Sequence, residues 1–144
     1  MTSRTGLALC LPHLHTGGIE RNVLRLLPGL VAAGLQPRIF LQHPEGDLLH
    51  ALPEGVEVQS LGGGGMLATA RALARALRTA PAEVLWTQTN ALNIAAGLAH
   101  LRLGATAPRL VMGEHIPIGP FLATRKRPAL RRALMRGLYR RATV

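Results

Sequence analysis

Short apolar runs alternate with longer amphipathic stretches along the whole chain, and this alternation constrains the fold more than any other feature. It is the pattern of βαβ units carried on a mainly parallel sheet. Leu7 to Pro12 reads as a first strand. Gly17 and Gly18 then break the chain. Ile19, Val23, Leu26, Leu27, Leu30 and Val31 follow at helical spacing, with Glu20, Arg21, Asn22 and Arg25 facing away. That helix ends near Gly34. An interior proline forfeits a backbone bond and clashes with the preceding turn at a cost of about 3 kcal/mol, so Pro28 predicts a kink.

Arg38 to Gln42 and Val56 to Leu61 are the next strands, separated by the turn-rich stretch His43 to Gly55. After Gly62 to Gly65, a second helix places Leu67, Ala70, Leu73, Ala74 and Leu77 on one face and Arg71, Arg75 and Arg78 on the other. Glu83 to Thr87 is a buried strand carrying Trp86. Asn90 caps a third helix running to about Leu103, and Arg109 to Gly113 is a fifth strand. A basic helix from about Pro128 to Arg141 follows, and Ala142 to Val144 looks like the opening of another strand.

The 144 residues suit one compact unit, with 48% hydrophobic against 17% charged residues excluding a disordered chain. The expectation is a single α/β domain with an open, mainly parallel sheet and helices on both faces. The lone Cys10 sits in an apolar run, acts as a small buried hydrophobe and has no partner for an internal disulfide. A reducing compartment fits. The N-terminus has one early Arg4 and an apolar stretch too short for a signal h-region or a spanning helix. The chain reads as cytoplasmic and not transmembrane.

In an open parallel sheet, ligands bind outside the carboxyl ends of the strands, so the residues after each strand are the candidates. Gly17 and Gly18, immediately before a helix, let backbone N–H groups approach an anion such as a donor diphosphate. A tight turn needing glycine for its dihedrals explains the same pair. The loop is neither the dinucleotide fingerprint nor a Walker loop. Gly62 to Gly65 adjoins no Lys, Ser or Thr and reads as a flexible connector. After strand four, Gln88 and Thr89 are placed to bond a sugar or acceptor hydroxyl, with Asn90 beside them. Glu114 and His115 follow strand five, with Ile116 to Pro120 as a stiff loop. His13 and His15 alternate like metal ligands, but no nearby Cys, Asp or Glu completes a set, so no metal site is expected. There is no hydrolase nucleophile.

The net charge of +10 is unevenly placed. Arg125, Lys126, Arg127, Arg131, Arg132, Arg136, Arg140 and Arg141 lie in the last 20 residues, and no acid follows Glu114. In the final helix Leu130, Ala133, Leu134 and Leu138 form an apolar stripe expected mainly to cover the sheet. A basic amphipathic helix of this kind can dock on an anionic membrane, gaining about 1 kcal/mol per Lys or Arg near the leaflet. Aromatic residues make up only 3%, which leaves few stacking platforms for bases and disfavours nucleic acid as the partner.

The order of these parts resembles the start of family 4-like retaining glycosyltransferases. The resemblance rests on strand one followed by Thr16 to Arg21, on Leu30 to Ile39, Pro53 to Val58, Pro81 to Leu85 and Gly113 to His115, and on the basic helix running into Arg140 to Val144. It implies one of two Rossmann-like domains with an active site in the cleft between them. On that resemblance this is the N-terminal, acceptor-side domain, cut before the half that holds most nucleotide contacts. Gly17 and Gly18 would lie against the donor diphosphate, and His115 would face the transferring sugar. The implied partners are a nucleotide-sugar donor and a glycan or lipid-linked acceptor, with no further cofactor. A noncatalytic, basic Rossmann-like module binding nucleotides or membrane anions is the competing reading.

Overall fold

The computed structural model describes residues 5–144, and the early Arg4 lies outside the described residues. The elements run β1 (Thr5–Leu11), α1 (Gly18–Ala32), β2 (Leu35–Leu41), β3 (Glu57–Ser60), α2 (Met66–Thr79), β4 (Val84–Thr87), α3 (Asn90–Leu103) and β5 (Arg109–Met112). Two helices follow, α4 (Ile118–Ala123) and α5 (Pro128–Leu138), and a 3₁₀ turn over Tyr139–Arg141. The five strands form one all-parallel sheet in the order β3-β2-β1-β4-β5.

Strand side chains alternate between the two faces, and this period-2 pattern builds two cores. Leu7, Leu9, Leu11, Ile39 and Leu41 pack with Val23 and Leu27 of α1 on one face. Ala8, Cys10, Phe40, Leu85 and Leu110 pack with α2 and α3 on the other. Burying each large aliphatic side chain contributes about 1.5–3 kcal/mol, so both helical layers are held chiefly by these contacts. The α/β class, the parallel sheet and the helices on both faces therefore agree with the sequence reading.

Helix α1 runs on through Pro28 to Ala32. Several other local readings change. Trp86 is only half-buried, because β4 alternates between half-buried and buried positions instead of being covered throughout. Part of the supposed stiff loop after His115 is helix α4. Gly62, Gly63 and Gly64 have φ of 81°, 71° and 87°, a left-handed run that glycine adopts without a Cβ penalty. They form a pinned turn, with Gly63 N donating to Gln42 O at 2.7 Å and Gln42 Nε2 donating to Gly64 O at 3.0 Å.

The last helix corrects the apolar-stripe expectation. Leu138 is buried, but Leu130 is 52% exposed and Ala133 is exposed. Close packing explains the buried end: a Cβ added at Gly97 of α3 would lie 2.7 Å from the Leu138 Cβ, so this glycine admits α5. Beyond it, Thr143 N donates to Leu110 O at 2.6 Å and Met112 N to Val144 O at 3.1 Å. The chain end thus lies along β5, as an opening strand would.

Candidate functional site

The chain leaves β1 toward β2 and leaves β4 toward β5, on opposite sides of the sheet. Between those two strands the order reverses, and their diverging loops leave a crevice beyond the carboxyl ends. A cleft of about 560 Å³ lies there, walled by Pro12, His13 and Ile19 from the β1 side, by Gln88, Thr89 and Asn90 after β4, and by Glu114, His115 and Ile116 after β5. Phe121 of α4, Arg125 and Arg131 close it from the C-terminal segment.

A buried hydrogen-bond network forms its floor. Thr87 Oγ1 donates to Asn93 Oδ1 at 2.6 Å, and Asn93 Nδ2 donates to Gly113 O at 2.9 Å and Glu114 Oε1 at 3.1 Å. Asn90 Nδ2 donates to the same Glu114 oxygen at 3.1 Å and to the Tyr139 hydroxyl at 3.0 Å. Tyr139 in turn donates to Glu114 Oε1. Arg131 Nη1 donates to Asn90 Oδ1 at 2.8 Å. Burial, then the Glu114 contact, pushes the Tyr139 phenol well above its ordinary range and keeps it a hydrogen-bond donor.

Asn90 is accordingly not the cap of α3. Thr89 precedes the helix in extended conformation, and the Asn90 side chain turns into the network. Gln88 is buried, and its Nε2 has no hydrogen-bond partner among the described residues. His115 is exposed on the cleft wall.

At the mouth of β1, Gly17 precedes α1 in extended backbone, and a Cβ at Gly18 would meet no atom within 4 Å. Space for a ligand therefore remains over Gly18. Each loop histidine meets a single acid: Glu20 Oε1 lies 3.7 Å from His13 Nδ1, and Glu45 Oε1 lies 3.6 Å from His15 Nε2, and among the described residues no three His, Cys, Asp or Glu side chains gather as metal ligands. Glu20 is buried although it lies in the first turn of α1, where a carboxylate is favoured by the helix dipole.

The family model described as glycosyl transferase 4-like domain matches residues 17–144. The chain belongs to that family. Among solved structures, the lipopolysaccharide outer core galactosyltransferase WaaB in its apo form superposes with a TM-score of 0.64 at 10% identity. The match covers 90% of this chain and 37% of that one, and at that identity it speaks for the fold. A search of curated proteins finds no match.

In this glycosyl transferase 4-like domain, the structure brings Gln88, Thr89, Asn90, Glu114 and His115 into one cleft, with the Gly17 and Gly18 turn beside Ile19 at its edge. Of the basic residues assigned to a membrane face, Arg125, Lys126, Arg127, Arg132, Arg136, Arg140 and Arg141 are exposed. Arg131 is not: it is half-buried and turned into the cleft onto Asn90, because its place on α5 faces α3. Sequence reasoning missed Tyr139, Asn93 and Arg131 as site-forming groups. Nothing in the sequence pattern marks them, because which polar side chains meet depends on how the C-terminal segment packs against α3. Among the described residues no helix is long and apolar enough to cross a membrane.

Proposed function

We propose that this domain is the N-terminal, acceptor-side half of a retaining glycosyltransferase that moves a sugar from a nucleotide-diphosphate donor to an acceptor hydroxyl, in synthesis of a cell-surface glycan or glycolipid. The observation that carries this reading is the convergence of the β1, β4 and β5 loops on one cleft at the point where strand order reverses. Family membership gives glycosyl transfer in general.

In this reading the open space over Gly18 receives the donor diphosphate, whose charge the α1 N-terminus stabilises. His115, exposed on the wall, faces the transferring sugar. Gln88, Thr89 and Asn90 contact acceptor or sugar hydroxyls, and the network around Glu114 Oε1 fixes that carboxylate beside them. Catalysis rests on electrostatic stabilisation of the departing diphosphate. A second domain supplies most nucleotide contacts, and the exposed arginines of α5 hold the cytoplasmic enzyme to the membrane that carries its acceptor.

The test is turnover with a panel of nucleotide sugars. A polypeptide carrying this domain and its second domain should transfer sugar, while residues 1–144 alone stay at background. Robust transfer by residues 1–144 alone would contradict the half-site reading.

A further inference from the structure

The cleft holds two guanidinium groups that face no carboxylate. Arg125 Cζ sits 4.4 Å from the Phe121 ring centroid, and Arg131 is anchored on Asn90 Oδ1, so both heads are pre-positioned at the wall. Neither has a carboxylate oxygen within 4.0 Å among the described residues. Glu114 is the one acid of the described cleft wall, and its Oε1 already accepts from Asn90, Asn93 and Tyr139. A half-buried arginine whose only side-chain bond is to a neutral amide retains unused donors in a partly desolvated site, where an oxyanion is bound most strongly.

We propose that this cleft recognises an acidic acceptor sugar, one bearing a phosphate ester, with Arg125 and Arg131 as the specificity-determining residues that grip the phosphate. This rests on the cleft being the acceptor half-site and adds the chemical class of the acceptor. A planar guanidinium can meet two phosphate oxygens at once, so two of them select a doubly charged ester over a neutral hydroxyl.

Binding to the 144-residue chain, followed by amide chemical shifts, tests this without any transfer reaction, so its outcome stands apart from that of the turnover assay. The probes are glucose 6-phosphate, glucose and uridine diphosphate. Glucose 6-phosphate should shift the signals of Gln88 to Asn90 and Glu114 to Ile116, and glucose at equal concentration should not. Arg131→Gln and Arg125→Gln should each weaken glucose 6-phosphate by about tenfold, the loss of one charge-assisted contact. Arg131→Lys should fall between the parent and Arg131→Gln. Arg125 is exposed and outside the buried network, so its variant reports even where Arg131→Gln unfolds the chain. Equal binding of glucose and glucose 6-phosphate, or unchanged affinity in the Arg125 variant, would overturn the proposal. So would tighter binding of uridine diphosphate with the same dependence on both arginines, which would assign them to the donor diphosphate.

Discussion

The Tyr139 hydroxyl, in the 3₁₀ turn after the last helix, donates to Glu114 Oε1 at the end of the last strand. The contact ties the basic C-terminal segment to the cleft floor, because the same hydroxyl also accepts from Asn90 Nδ2. Tyr139→Phe removes the donor and leaves the carboxylate to Asn90 and Asn93. The expected loss is about 1–2 kcal/mol, within the range for hydrogen bonds to charged groups once partial exposure is allowed for. Urea unfolding near neutral pH should show it as a lower midpoint at unchanged slope. An unchanged midpoint would mean that the contact carries no net stability.

Alkaline pH should weaken the fold in two steps. Burial pushes the Cys10 thiol from 9.0 up to about 12, and burial with the Glu114 contact raises Tyr139 above its ordinary value. Both groups stay protonated longer in the folded chain than in the unfolded one. Their stabilisation is therefore fully present below the unfolded pKa and is lost as pH rises toward the folded value. Stability should begin to fall above about pH 9, with Cys10 contributing a slope of about 1.4 kcal/mol per pH unit and Tyr139 adding to it above about pH 10. Cys10→Ala should flatten the first part of that decline. An identical pH profile in this variant would show that the thiol is not the group responsible.

The architecture was legible because strand and helix periodicities differ, and because apolar residues fall on both strand faces, as in Leu9 and Cys10. The strand-end rule then located Gln88, Glu114 and His115 in one cleft. What periodicity does not carry is which polar side chains meet. Asn90 sits where a cap is expected, yet its amide turns to Glu114, Tyr139 and Arg131, residues 24, 49 and 41 positions away. By spacing Arg131 belongs with its charged neighbours, and its burial depends on how α5 rotates against α3. The packing of Leu138 over Gly97 sets that rotation. Leu130 belongs to the apolar stripe by spacing, but the contact is made near the far end of the helix, and it remains exposed.

At Gly18 a larger side chain enters open space, so Gly18→Val should fold normally. In the enzyme that carries this domain, it should raise KM for the nucleotide sugar by about tenfold or more, the effect of losing a favourable contact between phosphate and the helix N-terminus. Circular dichroism and donor kinetics together check this. Wild-type kinetics would make the glycine pair a simple turn.

The exposed arginines of α5 and of the 3₁₀ turn after it should bind anionic vesicles. Arg132, Arg136 and Arg140 are all exposed, so changing the three to Gln should leave the fold intact and remove most co-sedimentation, with each charge contributing about 1 kcal/mol. Binding by the parent should require anionic lipid and fall with salt as screening shortens the reach of the charges. Equal sedimentation of variant and parent, or none of either, would leave this helix face as an ordinary solvated one.

The most direct test of the cleft as the transfer site is the turnover number of His115→Ala in the enzyme that carries this domain, measured at saturating nucleotide sugar and acceptor. His115 is exposed on the cleft wall with no hydrogen bond to the buried network, so the thermal midpoint should not change. The expected result is a fall in kcat of about 100-fold or more, as on removing a group that stabilises developing charge. A folded variant with the parent's kcat would contradict it.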